Sequence, residues 1–235
     1  MTSMETRSQN RAAYDFIQAQ SKKAGLENVL AYPGYLRSER LLGIGQSIDF
    51  NILEGQSSDG EAIGGTERRL QQNDAFYVSR MSVMLYKVPA TVAGAAGTQL
   101  ERAQARLQQF PNAQVFLANT APAVGFWNGA LTIKQNDKIY CRDHDLWTLQ
   151  YADTAQQGQT VFTASTVDSN AFKYEDAFQQ VLDPMFRLNG QSNIEANIQL
   201  PASLNFTQVA TTSVYAVLYL KGWRAQNAGV ARSAK

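Results

Sequence analysis

The chain has 235 residues, with 21 Lys and Arg against 20 Asp and Glu and a formal net charge of +1. So even a balance excludes a strongly basic nucleic-acid coat, a polybasic membrane patch and a surface dedicated to acidic substrates. Charged residues make up 17% of the chain, and 23 Gln and 14 Asn stand in their place. Average domains carry about 25%; an amide-rich, charge-poor surface repels itself less and is easier to bury against a neighbouring subunit.

The length suits one large β domain without staples. Cys141 is the only cysteine, which removes disulfide frameworks and Cys-based zinc sites and leaves a buried, inert thiol as its reading. Met1 to Asn10 is polar with no apolar signal core, and no stretch approaches the roughly 18 apolar residues of a membrane helix. The expectation is a chain made in a cytoplasm that stays soluble.

Thr6 and Gln9 have capping-box spacing, and Ala13, Phe16 and Ile17 follow at helical intervals up to Gly25. This predicts an N-terminal helix of about four turns with a short apolar stripe, lying outside the sheets or against a neighbour. A loop is expected around Pro33-Gly34. In Ser47–Leu53, Ile48, Phe50 and Ile52 alternate with polar residues, the pattern of a half-buried strand. Gly55 to Gly65 reads as a surface loop. Ala75 to Val88 is a strand whose Val83-Met84-Leu85-Tyr86 section is apolar on both faces, so it needs cover on both.

Thr98 and Glu101 form a second capping box, and Leu100, Ala103, Leu107 and Phe110 are predicted to share one helix face, ended by Pro111. Arg102 and Arg106 then lie on its solvated side. A hairpin is expected from Gly129–Lys134 and Lys138–Cys141, turning at Gln135-Asn136-Asp137, with Leu131, Ile133, Ile139 and Cys141 inward. Thr160–Val167 reads as a strand. Met185–Leu188 and Ser192–Leu200 flank Asn189-Gly190, a signal for a tight hairpin turn with φ above zero at both residues; Ile194, Ala196, Ile198 and Leu200 alternate until Pro201 stops them. Ser213–Trp223 carries Val214, Ala216, Leu218 and Leu220 on one face and Tyr215, Val217 and Tyr219 on the other, so it is expected at the centre of a sheet. The last ten residues form a tail.

The pattern is mainly β. It implies a β-sandwich of jelly-roll type, with residues 1–30 a helical arm, residues 31–235 the sandwich and one inserted helix. A double roll would need about sixteen strands, so a single roll fits the length.

Chemistry-bearing clusters are few. His144 is the only histidine, too few for a cupin-type metal centre or a zincin. In Asp143-His144-Asp145, neighbours in extended chain point to opposite faces, so the reading is a solvated or hydrogen-bonded loop rather than a cation site. No nucleophile elbow is present. Gly43-Ile44-Gly45 and Gly60–Gly65 lack the rest of dinucleotide and phosphate loops. The carboxylates Glu54, Asp59 and Glu61 sit in or beside one loop. Asn205-Phe206-Thr207 matches a glycosylation sequon by coincidence. Arg68, Arg69, Arg80, Arg102 and Arg106, with Tyr77 and Tyr86, could form a stacking and phosphate surface, against which stands an ordinary solvated face. The expectation is no catalytic residue, no cofactor and no metal.

Met185-Phe186-Arg187-Leu188-Asn189-Gly190, Ile194 to Pro201 and Tyr215-Ala216-Val217-Leu218-Tyr219-Leu220, together with the N-terminal helix and the amide-rich strands, give the chain a texture that resembles jelly-roll capsid proteins of tailless bacteriophages. The resemblance is architectural and carries over no site residues. It implies self-assembly into trimeric or hexameric capsomers of an icosahedral shell, contact with other virion proteins, no recognition of a specific nucleic-acid sequence, and a place in the virion after assembly in the host cytoplasm. The candidate subunit interface is Val83, Leu85, Tyr86, Tyr215, Val217 and Tyr219. Two other readings stand beside it: a carbohydrate- or receptor-binding sandwich of lectin or fibre-head type, with Trp127, Trp147 or Trp223 as the stacking platform, and a hydrolase on a sandwich scaffold.

Overall fold

The computed structural model describes residues 3–23, 29–55, 65–89, 98–105, 107, 120–149, 180–207 and 212–228. The expected strand at 160–167, loop residues 56–64, Phe110, Pro111 and the tail beyond residue 228 lie outside the described residues. The described strands are β1 (Ala31–Leu42), β2 (Ile44–Phe50), β3 (Ala75–Pro89), β4 (Ala130–Gln135), β5 (Lys138–Asp145), β6 (Gln180–Asn189), β7 (Ile194–Asn205) and β8 (Thr212–Ala225). The helices are α1 (Ser3–Lys23), α2 (Gln99–Gln104) and α3 (Thr120–Phe126). One antiparallel sheet has the order β1-β8-β3-β6 and the other β2-β7-β4-β5. The chain is mainly β and two-layered.

Alternation builds the core between the sheets. Ile48, Phe50 and Ile52 point inward from β2 and its continuation, and Ile194, Ala196, Ile198 and Leu200 do so from β7. Val83 and Leu85 come from β3, and Val214, Ala216, Leu218 and Leu220 from β8. Each fully buried aliphatic side chain contributes roughly 1.5–3 kcal/mol. As expected from its two apolar faces, β8 is central, paired with β1 on one side and β3 on the other.

β1 is the largest departure from expectation. Pro33 and Gly34 lie within it, paired with Trp223 and Gly222, and not in a loop. Proline is tolerated because β1 is an edge strand and needs no second row of N–H donors. A Cβ on Gly222 would stand 1.9 Å from the Tyr77 carbonyl oxygen; β3 carries a bulge between Val78 and Arg80 there, and the backbones close to a distance only glycine allows.

Asn189-Gly190 is a turn but not a hairpin. β6 and β7 belong to different sheets, so it carries the chain across the sandwich. Among the described residues, the non-glycine residues with positive φ are Asn136, Asp143 and Asn227, and Asn189 is not one of them. Gly190 is required for closeness, since a Cβ would meet the Gln71 carbonyl oxygen at 2.0 Å. The two-residue hairpin turn is Asn136-Asp137, between β4 and β5. Pro201 does not end β7, which runs on to Asn205. It sits where the β2 register shifts between Gly45 and Ser47, outside the paired positions of both neighbours.

In β5, register shifts around Ile133 turn Ile139 outward, 40% exposed, while Tyr140 and Cys141 pack against the core. α1 starts by Ser3, so Thr6 is inside the helix and not its cap. α2 is shorter than expected: the Thr98–Glu101 capping box is present, but Ala105 is already extended. Leu100 is therefore 67% exposed and Ala103 faces out, whereas Ala105 and Leu107, beyond the helix, carry the apolar contact.

Candidate functional site

The outward face of the β1-β8-β3 sheet can be laid out from its register. Cross-strand partners share a face, so β1, β8 and β3 present five successive rows: Pro33–Trp223–Tyr77, Tyr35–Lys221–Arg80, Arg37–Tyr219–Ser82, Glu39–Val217–Met84 and Leu41–Tyr215–Tyr86. Aromatic residues recur where an outer face ordinarily carries small polar ones.

The first row is covered by α1. Ile17 is buried with Val29, Ala75, Tyr77, Ala225 and Ala228, and the Phe16 ring meets Tyr77 edge-on at 6.4 Å. The last two rows are covered by the segment around α2. Tyr86, Val88, Tyr215 and Val217 form a buried cluster against which Ala105 and Leu107 pack. Tyr86 and Tyr215 stack with centroids 4.9 Å apart, and the Arg102 guanidinium lies 5.8 Å above the Tyr215 ring. Arg102 thus faces the sheet, not solvent. Beneath the cover the Glu39 carboxylate accepts from the Tyr86 hydroxyl and pairs with Arg37 at 2.7 Å, with its side chain 1% exposed. Burial, and then the bond to Glu39, hold the Tyr86 hydroxyl protonated well above the usual phenol range.

Between the two covers lie the second and third rows. Tyr35 is 42% exposed and stacks on Tyr219 at 5.2 Å with 15° between the rings. Lys221, Arg80 and Arg37 surround the pair by register, half-buried, and Val181 of β6 extends the Tyr35–Lys221–Arg80 row. This window is the candidate site.

A strap built from residues 66–70 closes the β1 edge. The Arg37 N–H donates to the Arg68 carbonyl at 2.7 Å and the Arg68 N–H donates back at 2.9 Å, while the Leu70 N–H reaches the Ile52 carbonyl at 2.8 Å. Glu67 is buried, accepting from the Glu39 backbone and from Arg69 at 3.0 Å each. Arg68 and Arg69 therefore belong to the strap rather than to a phosphate-binding surface, and Tyr77 and Tyr86 are buried.

The other sheet presents a different outer face. A hollow of about 630 Å³ is lined by Asp49, Asn51, Thr132, Lys134, Glu195 and Asn197, among others. Its side chains bond each other: the Asn197 amide donates to Ser47 Oγ at 2.7 Å and Asp49 Oδ1 at 2.6 Å, and Lys134 pairs with Glu195 at 2.6 Å.

Of the interface residues expected from sequence, Val83 and Leu85 point into the sandwich and offer no surface. Tyr86, Tyr215 and Val217 lie under the α2 segment, and Tyr219 opens onto the window. Tyr35, Arg37 and Glu39 were missed because Arg37-Ser38-Glu39-Arg40 hides the alternation of β1 behind four polar residues.

His144 Nε2 lies 2.6 Å from Gln180 Oε1 and 3.1 Å from Thr148 Oγ1. Asp143 engages Thr132, and Asp145 accepts from the Trp147 N–H. The three neighbours thus diverge, and among the described residues no group of three His, Cys, Asp or Glu is placed to hold a metal. Burial pushes the Cys141 thiol above its usual range. Asn205 is tied into its own turn by Thr207. Glu54 continues the strap contact through its N–H to the Leu70 carbonyl; Asp59, Glu61 and Arg106 lie outside the described residues. Trp127 is buried edge-on against Phe126, Trp223 packs near α1, and Trp147 is 58% exposed. Among the described residues no helix is long and apolar enough to cross a membrane. No family model, no curated protein and no solved structure matches the chain.

Proposed function

We propose that the chain is a single jelly-roll capsid subunit that assembles with copies of itself into a shell. The observation that carries the reading is the strand pairing. β1 pairs with β8, β2 with β7, β3 with β6 and β4 with β5, which, among the described residues, is the pattern of one long hairpin of eight strands wrapped into two sheets. Its two four-stranded sheets, β1-β8-β3-β6 and β2-β7-β4-β5, follow from that wrapping, with β8–β3 and β7–β4 closing each layer. Jelly rolls of eight strands serve as capsid and lectin domains and as cupins; with a single histidine the chain lacks the ligands of a cupin metal centre.

The proposed subunit contacts lie on the β5–β6 flank. The two edge strands meet there through the His144–Gln180 bond and the Tyr140–Phe186 stack at 4.8 Å, and Ile139, Trp147 and Val181 project outward. Burying three such side chains at roughly 25 cal/mol per Å² supplies the apolar centre that an interface needs. In this reading the chain is structural and not an enzyme.

Sedimentation and electron microscopy of the purified chain test the proposal. Discrete oligomers or shells are expected, and Trp147→Glu with Val181→Glu should release folded monomers. A stable monomer at high micromolar concentration overturns it. The lectin reading then moves ahead on the exposure of Trp147, with loss of glycan binding in Trp147→Ala as its own check.

A further inference from the structure

We infer that the hollow on the outer face of the β2-β7-β4-β5 sheet binds a neutral saccharide through its hydroxyl groups. The inference concerns this face alone and requires neither the shell nor the exposed Trp147.

The register lays the hollow out row by row. Asp49, Asn197 and Thr132 stand side by side on β2, β7 and β4, with Ser47–Gln199 one row away on one side and Glu195–Lys134 one row away on the other. Asn197 and Thr132 are half-buried, whereas Asp49, Asp143, Glu195 and Gln199 around them are exposed. The middle of the face is therefore its low point, and about 630 Å³ opens above it. On β5 the ladder shifts between Leu131 and Ile133. Asp143, at φ 49°, donates its N–H to Thr132 Oγ1 at 3.2 Å. An irregularity of this kind re-aims a side chain, and here it sets a carboxylate on the rim of the hollow across from Asp49.

The groups around this low point suit hydroxyls. Both N–H groups of the Asn197 amide go towards β2, to Ser47 Oγ at 2.7 Å and Asp49 Oδ1 at 2.6 Å, so its carbonyl oxygen faces away from β2 in a fixed orientation. A carboxylate offers about four lone-pair sites, and the Asn197 bond occupies one of those on Asp49. Gln199 adds an exposed amide that donates as well as accepts. Acceptors held in place beforehand, with an amide donor beside them, match a ligand whose groups both donate and accept. Sugar hydroxyls do this, and they stand in for the water that otherwise wets the face. Strands lie about 4.8 Å apart and alternate residues about 7 Å apart, so three strands and three rows frame a patch of about 10 by 14 Å. The hollow falls in the roughly 300–1,000 Å³ range of small-molecule sites.

The same spacing argues against a cation. Asp49 and Asp143 stand on the two outermost strands of the sheet, about 14 Å apart. Glu195 is already paired with Lys134 at 2.6 Å, and among the described residues no three His, Cys, Asp or Glu are placed to hold a metal. A basic peptide drawn by Asp49 and Asp143 is the competing occupant.

A glycan array carrying neutral, sialylated and sulfated probes, read with the fluorescently labelled full chain, tests the assignment. Neutral glycans should be retained, and equally at low and high salt, because a ligand without charge is not screened. In titrations with a retained glycan, Asn197→Ala and Gln199→Ala should each weaken binding about tenfold and Asp49→Asn several-fold. Trp147→Ala should bind as the parent does. Thermal melting of each variant separates these effects from loss of fold. No retained glycan, retention confined to sialylated or sulfated probes, or displacement by oligolysine with loss of binding at high salt each overturns the assignment. So does binding abolished by Trp147→Ala and unaffected by Asn197→Ala. Assembly is read separately by sedimentation, so either reading can fail without the other.

Discussion

The two sheets of the sandwich share a core but treat their outer faces in opposite ways. The β1-β8-β3-β6 sheet carries tyrosines, Val217 and Met84 outward and covers both ends of that face with its own helical segments. The β2-β7-β4-β5 sheet carries Ser47, Asp49, Asn197 and Lys134 outward and satisfies them with one another. The difference shows what each face is suited to. An apolar outer face demands cover, and where the cover stops a window remains; a self-bonded polar face needs nothing beyond water.

The sharpest way to break this comparison is at the glycines. In the first sheet Gly222→Ala drives a Cβ to 1.9 Å from the Tyr77 carbonyl oxygen, backbone that cannot move aside without opening the β3–β8 ladder. The expected result is an unfolded chain, or a loss of more than about 4 kcal/mol. In the second sheet the nearest atom to a Cβ on Gly45 is 3.9 Å away, so Gly45→Ala should stay within about 1 kcal/mol in urea denaturation. Similar midpoints for the two variants would show that the sheets are not built differently.

A step lower in magnitude are the outer-face side chains. Val217 is fully buried under the α2 segment, and Val217→Ala should cost about 2–3 kcal/mol. Asn197 is half-buried on the outer face, and Asn197→Ala should cost about 0.5 kcal/mol despite two hydrogen bonds. A Val217 variant as stable as the Asn197 variant would mean that the cover is not packed.

Below that comes Tyr86. Its folded pKa lies above the ordinary value of 10.0, so the folded state holds this proton more tightly than the unfolded chain. That contribution is complete below about pH 10 and is lost as pH rises beyond it, by up to about 1.4 kcal/mol per pH unit. Tyr86→Phe should lose roughly 1–2 kcal/mol at neutral pH, where Glu39 is deprived of a donor, and should show a shallower alkaline decline. Some decline should remain, because burial also raises Tyr140. Parallel alkaline curves for the two proteins would place the Tyr86 hydroxyl outside the buried network.

How much of this was legible in the residues depends on whether a strand's environment is written in its own side chains. The inward faces of β7 and β8 were read correctly because Ile194 to Leu200 and Val214 to Leu220 alternate without interruption. The capping box at Thr98 was equally plain, since its geometry is local. β1 was hidden because Ser38 occupies an inward position and Arg37 and Glu39 are held by partners remote in sequence, among them the strap and Tyr86. Asn189-Gly190 misled because a turn dipeptide fixes local chain reversal but not which sheet the next strand joins. The window was invisible for the same reason: Tyr35 and Tyr219 lie 184 positions apart and meet only through the β1–β8 register.

The smallest effect expected is at the α2 cap, and it bears on how firmly the cover is held. Thr98 donates its N–H and hydroxyl to Glu101 Oε2 at 2.7 and 2.9 Å and accepts the Glu101 N–H at 3.2 Å. These bonds, the backbone donor first, hold the Glu101 carboxyl below the usual range. The folded pKa is depressed, so the cap is intact at neutral pH and weakens as pH falls through that value. Thr98→Ala should cost about 1 kcal/mol and flatten the acid limb of the stability curve. Because α2 has only six residues and leads directly to Ala105 and Leu107, the change should also speed hydrogen exchange in β3 and β8 around Tyr86 and Tyr215. Exchange around Tyr77, beneath α1, should not change. Equal acceleration at both ends of the face would mean that the two covers move as one unit, and the distinction between a locally capped segment and an independently packed helix would fail.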